Sequence, residues 1–318
     1  MNAEHYTILN NDFTETNSLS AKIAVKAKLS YYFFQRMFAD VKLKRYLKNF
    51  VLDRQICDFA DKLLLDQGGM FKSYVYSICD KFKPLKGSSV LIPGIGYGRN
   101  LFQLAAFRPK LIVAFDLYEY PDEWEYLSRE IKKTYGTEVT FLKGGFDVLP
   151  NKYEKSFDFI LSDAVLEHIK DLKEFSNNSA RFLREGGFFY ASFGPLWFGP
   201  FGDHIAWGQE RMFDHILLPE SEYQDNFKER FGEFPNDSTN GGFLVAKKLF
   251  SYLSIHKYFD ILKASGFRKK LSFVNISSDA LSFFKKNPAF HNTLNENNVP
   301  SFDRFCKAVY LWMRLQSS

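Results

Sequence analysis

Between residues 88 and 193 the chain places five short apolar runs in alternation with helix-patterned stretches, a rhythm that few folds accept. The runs are SSVLIP (88–93), LIVAFD (111–116), EVTFLKG (138–144), FDFILS (157–162) and GFFYASF (187–193). Between them lie GRNLFQLAAF, then DEWEYLSREIKKTYG with Trp124, Leu127, Ile131 and Tyr135 on one helical face. KDLKEFSNNSARFLREGG follows and ends in glycines suited to a helix C-cap. Strand, crossover helix, strand at this spacing predicts βαβ units and a parallel sheet.

The flanks break the rhythm. Before residue 88, apolar residues recur at threes and fours (Leu43, Leu47, Phe50, Val51, then Ile56, Phe59, Leu63), so residues 1–87 are expected to form a helical extension with a loose start. After residue 194 some fifty residues are aromatic and Gly/Pro-rich, then polar, and residues 194–247 are read as an insert. LSIHKYFDILKASGF then predicts a helix with Ser254 at its N-cap and Gly266 at its C-cap. Two strand patterns, KKLSFVNI (269–276) and KAVYLWMRL (307–315), complete a main domain over 88–318.

Charge and cysteine usage narrow the partners. The net charge of +5 is too small for an obvious nucleic-acid footprint, so nucleic acid is not expected as a partner. Its excess is concentrated in residues 21–50, where eight basic residues meet a single acid, Asp40. That segment reads as a solvated helix face, a cover for an acceptor site, or a patch for anionic lipid or nucleic acid. Cys57, Cys79 and Cys306 form no CxxC pair and no metal-ligand spacing, which suits buried thiols in a reducing compartment. The polar N-terminus lacks a secretory pattern and no apolar run reaches membrane-spanning length, so a cytoplasmic location is expected.

The first run ends in VLIPGIGYGRN. Closely spaced glycines between a strand and a helix let backbone approach a ligand, and the helix N-terminus behind them favours anionic groups. A dinucleotide loop needs G-x-G-x-x-G; here Gly94, Gly96 and Gly98 alternate, and Arg99 stands where the third dinucleotide glycine would be. The spacing counts against NAD.

Over residues 90–168 the chain resembles the class I S-adenosylmethionine (SAM) dependent methyltransferases, through PGIGYGRN, through Asp116 closing LIVAFD, and through LSDAVLEHI after the fourth run. The resemblance implies a Rossmann-like α/β fold with a seven-stranded mixed sheet, and SAM as cofactor. It implies that Gly94, Gly96 and Gly98 wrap the methionine end and that Asp116 takes both ribose hydroxyls. Phe146 stacking on adenine, Asp147 accepting from its amino group, and Asp163 beside the cofactor are implied too. Ile92 departs from the pattern, because the family usually has an acid two residues before the first glycine. The methionine amino group then finds its partner in Asp163 or in backbone carbonyls, or the cofactor binds weakly.

Methyl transfer is an in-line displacement, for which holding the nucleophile against the methyl carbon contributes about 7–11 kcal/mol at best. A hydroxyl acceptor also benefits from a general base, and His168 and His204 are the candidates, each at the end of a strand of the predicted sheet. The alternative for His168 is a ring that hydrogen-bonds nearby backbone and orders its loop; for His204, Asp203 is a candidate orienter. Phe193, Trp197, Phe198, Phe201 and Trp207, interleaved with glycines, are either a lid hinged over a sugar or an aromatic ring, or a plug of the sheet edge. Some methyltransferases of RNA ends bind metal through Glu-x-x-Glu-His and a further histidine. Glu167, His168 and His204 match part of that set, but Ala164 stands in place of the first glutamate, and no metal is expected. The expected function is methylation of an oxygen, less favourably a nitrogen, on a small molecule or a carbohydrate such as a glycan precursor. The rivals are a SAM-binding scaffold or regulator without turnover and an RNA methyltransferase.

Overall fold

The computed structural model describes residues 5–8, 69–98, 100–205, 207–233 and 241–316. Eight strands form one mixed sheet: β1 (His5–Ile8), β2 (Ser89–Pro93), β3 (Leu111–Asp116), β4 (Glu138–Lys143), β5 (Phe157–Asp163), β6 (Leu183–Phe193), β7 (Phe267–Ile276) and β8 (Cys306–Leu315). Their order is β1-β7-β8-β6-β5-β2-β3-β4. The seven expected strands are all present, and β1 adds an eighth, antiparallel to β7 with His5 opposite Ile276. β1 falls in the stretch read as a loose start. Four residues carry too little pattern to announce a strand, and its partner lies some 270 positions away. Of the helical extension, the helix Gly69–Phe82 is described, and the expectation for residues 9–68 lies outside the described residues.

By contacts the chain divides into two units, each with its own packing. Among the described residues the first holds 69–162 and 181–190. In it β2 is parallel to both β3 and β5, and β3 to β4. Val90, Leu91, Ile112, Val113, Ala114, Phe159 and Ile160 are all buried, which is why these runs carry no polar alternation. Helix Pro121–Tyr135 lays Trp124, Leu127 and Ile131 on this core, as their spacing predicts, with Pro121 in its first turn and Gly136 in the left-handed region at its end. Asp158 draws Lys83 (2.6 Å), Arg184 (3.1 Å) and the Ser89 amide (2.9 Å) together, and these partners hold its carboxyl below the usual range against the pull of burial.

Among the described residues the second unit holds β1 (His5–Ile8) and residues 163–180 and 191–316. The strand pair β7 and β8 is antiparallel, with Phe273 opposite Tyr310. Helices Ser278–Lys286 and Phe290–Glu296 fill the connection between them, two elements that the sequence pattern did not announce. The insert after β6 is a packed body. Ile205, Trp207, Tyr223 and Phe227 form one cluster, with Phe201, Leu218 and Val245 against it. Phe198 and Phe201 also pack on Met212, Phe213 and Phe284 in a second cluster. Phe193 and Trp207 are buried, and Trp197 keeps partial exposure.

The glycines of the insert serve close approach. A Cβ on Gly194 would lie 2.5 Å from Lys307 O, one on Gly199 2.5 Å from Cys306 O, and one on Gly202 2.5 Å from Leu196 O. Gly202→Ala is therefore expected to destabilise the protein by about 1–3 kcal/mol, read as a lower denaturation midpoint. A midpoint equal to that of the parent chain would place a hinge, not a packing contact, at this position.

Helix Ile255–Ala264 buries Ile255, Tyr258, Phe259 and Leu262 as its spacing predicts. Ser254 sits at the N-cap but makes no side-chain capping bond; the buried Asp303 instead accepts from the Ile255 amide at 3.0 Å. Burial raises the Asp303 carboxyl to about 7. Cys79 and Cys306 are buried and in no disulfide, and Cys57 lies outside the described residues. Among the described residues no helix is long and apolar enough to cross a membrane.

Candidate functional site

In the first unit, β2 runs into the glycine loop and all three glycines take positive φ: 68° at Gly94, 56° at Gly96 and 93° at Gly98. The amides of Gly94 and Ile95 both donate to Phe115 O, at 2.8 and 3.2 Å, which turns the chain across the end of β3. There Asp116 fastens the loop. Its Oδ2 accepts from the Gly96 amide at 2.7 Å and its Oδ1 from the Tyr118 amide at 3.0 Å. Trp124 Nε1 donates to Gly96 O at 2.8 Å, tying the loop to the helix behind it.

This geometry suits the expected cofactor. A Cβ on Gly96 would meet nothing within 4 Å, so the loop faces open space, and only its φ of 56° demands glycine. Gly98 differs, because a Cβ there would run into the Leu127 side chain. Each Asp116 oxygen has a second lone pair beyond the amide it already accepts, leaving two acceptors for a ribose diol. Ile92 is 8% exposed and pairs in register with Ala114, so it offers the methionine amino group no charge partner.

Phe146 lies on a short turn, 5.0 Å from Phe115 and stacked on Phe182 at 5.9 Å, so part of its ring is already covered by protein. Asp147 is exposed, and its Oδ1 accepts from the Gly145 amide at 3.2 Å. Arg99 lies outside the described residues.

In the second unit, Asp163 accepts from Ser192 Oγ at 2.5 Å. The chain then turns through Ala164, at φ 53°, into the turn Leu166–His168. His168 and His204 come together with ring centroids 5.0 Å apart. A carbonyl oxygen can only accept, so His168 Nδ1 donates to Leu249 O at 2.7 Å, and His204 Nε2 donates to Pro195 O at 2.9 Å. His168 thus does order a neighbouring loop through backbone, and its Nε2 keeps a lone pair.

Burial, with the neighbouring His204, pushes His168 down to about 4; the Leu249 carbonyl opposes this. Burial likewise lowers His204, against the Pro195 carbonyl and Asp203. Both rings are neutral near pH 7. The folded-state value of His168 is below its unfolded value, so its contribution to stability is complete above about pH 6.5 and is lost as pH falls toward 4. The shift corresponds to about 3 kcal/mol. His168→Gln is expected to flatten the fall in denaturation midpoint between those pH values, and an equally steep fall in the variant would count against a buried neutral ring.

Asp203 does not orient His204. Its Oδ2 accepts from Trp207 Nε1 at 2.7 Å and from the Tyr223 hydroxyl at 2.6 Å, and its Oδ1 from the Ile205 amide at 3.1 Å. Fully buried, it locks the insert internally. Tyr223→Phe is expected to cost about 1–3 kcal/mol in unfolding free energy, because it takes a donor from a buried carboxylate.

Sequence patterns did not single out Leu249, Phe250 or Tyr252. Phe250 lies 5.2 Å from each imidazole, Trp197 5.1 Å from Phe250, and Tyr252 4.7 Å from Trp197, so an aromatic wall borders the histidines. His215 closes the far side of Trp197, donating from Nε2 to Trp197 O at 2.7 Å. Trp197 belongs to the aromatics expected to form a lid or a plug, whereas the only sequence signal for Phe250 and Tyr252 is the aromatic spacing in KKLFSYL, which reads equally as core.

A family model for a methyltransferase domain matches residues 91–191. No curated protein matches the chain by sequence. Among solved structures, the chain is similar to a SAM-dependent methyltransferase from Mesorhizobium loti (17% identity, covering 78% of this chain and 100% of that one, TM-score 0.46). It is also similar to the 1,6-didemethyltoxoflavin-N1-methyltransferase of Burkholderia thailandensis, solved with 1,6-didemethyltoxoflavin and S-adenosylhomocysteine (16%, 82% and 87%, 0.46). A third is the phosphoethanolamine N-methyltransferase 2 of Haemonchus contortus, solved with phosphomonomethylethanolamine and S-adenosylhomocysteine (17%, 76% and 52%, 0.46).

Proposed function

We propose, for a chain whose residues 91–191 match a family model for a methyltransferase domain, that it is a SAM-dependent methyltransferase acting on an oxygen, less favourably a nitrogen, of a small molecule or a glycan precursor. SAM supplies a methyl group on a sulfonium, which leaves with its bonding pair staying on sulfur. Gly94, Gly96 and Gly98 hold the methionine part, and Asp116 holds the ribose. Phe146 and Asp147 serve the adenine, and Asp163 lies along the cofactor.

The observation that carries the acceptor assignment is the pair of neutral imidazoles 5.0 Å apart beside Phe250. A neutral ring with a lone pair accepts the hydrogen bond of an acceptor hydroxyl and takes its proton as the O–CH₃ bond forms. Trp197 and Tyr252, backed by the buried Phe250, offer flat apolar surface to a sugar or an aromatic ring, as their partial exposure permits.

The test is a SAM turnover assay across phenolic, sugar and amine acceptors. Methylation of hydroxyl acceptors in preference to amines supports this reading. Preference for amines moves the assignment to nitrogen, and tight SAM binding without turnover on any acceptor favours a SAM-binding regulator.

A further inference from the structure

Glu167 shares the short turn Leu166–His168 with one of the two histidines and is 1% exposed. Its Oε1 accepts from the Gly194 amide at 2.9 Å, which fixes the carboxylate against the segment that carries His204 ten residues later. One donor atom from each of Glu167, His168 and His204 lies within 4.8 Å of the other two. The set thus joins two imidazoles and a carboxylate drawn from two separate stretches of chain.

Both rings are held from the side away from their lone pairs. With His168 Nδ1 donating to Leu249 O and His204 Nε2 to Pro195 O, the lone pairs reside on His168 Nε2 and His204 Nδ1. Metal-bound histidines are commonly held this way, the second nitrogen donating to a carbonyl or carboxylate that fixes tautomer and ring orientation. Glu167 is buried beside the two rings, so the three side chains form a built cluster inside the fold and not a surface group of acids.

We infer that Glu167, His168 and His204 form a binding site for a divalent transition-metal ion of the Zn²⁺ or Fe²⁺ kind. Two nitrogen donors and one oxygen donor select such ions over Mg²⁺ and Ca²⁺, which prefer oxygen sets. Bonds of about 2.0–2.2 Å place donors on a tetrahedron roughly 3.3 Å apart, so the three side chains draw together by up to about 1.5 Å on binding. The fourth position remains open to water or to an acceptor oxygen, whose proton the cation would make more acidic. Ala164 supplies no fourth ligand, and three protein ligands suffice for an open site. With the cation bound both free imidazole lone pairs are taken up, so acidification of an acceptor oxygen at the cation would replace proton transfer to a free ring. The inference goes beyond methyl transfer, since the cation needs neither cofactor nor acceptor in order to bind.

The test uses the full-length, tag-free protein, stripped with a chelator and titrated with Co²⁺ alone. The expected result is one equivalent of Co²⁺ bound with visible d–d absorption, displaced by Zn²⁺ and not by Mg²⁺. Glu167→Gln keeps an oxygen for the Gly194 amide and removes the charge, whereas His204→Gln removes an imidazole. Each is expected to weaken Co²⁺ binding on the order of tenfold or more, with far-UV circular dichroism confirming the fold. Absence of visible bands up to millimolar Co²⁺ overturns the site, as do bands unchanged in both variants or displaced by equimolar Mg²⁺. Because no methyl transfer is measured, failure of the metal site and failure of the proposed function are told apart.

Discussion

Asp116→Ala is expected to weaken SAM binding by about a hundredfold or more, measured by calorimetric titration. Two charge-assisted hydrogen bonds at about 1.5–3 kcal/mol each set that scale. The loss has a second source within the protein, because Asp116 Oδ2 also holds the Gly96 amide at 2.7 Å. Asp116→Asn separates the two. It retains an oxygen for the Gly96 amide but pairs poorly with two hydroxyl donors, and is expected to lose less affinity than alanine. If both variants bound SAM as the parent chain does, the ribose contact would have to be sought elsewhere. A weak parental affinity with an intact Asp116 effect would instead locate the deficit at Ile92, which offers no charge where the family usually has an acid.

His204→Ala and His168→Ala are expected to lower kcat on the order of 10²–10⁴, the range for loss of a positioned proton acceptor. SAM affinity should stay within about twofold, so the loss appears in the chemical step. The rings share Phe250 at 5.2 Å and lie 5.0 Å from each other, so the effects of the two variants should not add. A double variant no slower than either single one is therefore expected. Steady-state kinetics with a hydroxyl acceptor checks both points. Variants that leave kcat unchanged would reduce His168 to its bond with Leu249 and remove the acceptor assignment.

Local pattern carried the framework. Predicted runs at 88–93 and 111–116 became Ser89–Pro93 and Leu111–Asp116, because a doubly buried strand is apolar throughout and says so in its own residues. The glycine loop was legible for a similar reason, since positive φ at Gly96 is a property of one residue and its neighbours. Local pattern misled at Gly186 and Gly187. They suited a helix C-cap, but the helix ends at Phe182 and β6 begins at Leu183, with both glycines inside the strand. Gly186 keeps the left-handed φ of 70° that a C-cap glycine takes, but four residues beyond the helix end and inside the strand, and Gly187 opens the strand run as expected.

Most of the acceptor-side site was not legible. Asp203 stands next to His204 in the chain, which suggested an orienter, yet its carboxylate is committed to Trp207 and Tyr223. The ring is oriented by Pro195 O instead. Likewise Asp303 caps a helix that begins some fifty residues earlier, in place of the adjacent Ser254.

By itself the sequence determined the α/β rhythm, the seven main strands, the glycine loop and Asp116 at the end of β3, because each depends on residues within a few positions of one another. Only the tertiary structure decided that β1 pairs with β7, that Leu249 and Phe250 reach His168, and that Glu167 joins two imidazoles in one cluster. Those contacts join segments tens to hundreds of residues apart, and burial and backbone hydrogen bonding across the folded chain select them where no local preference does.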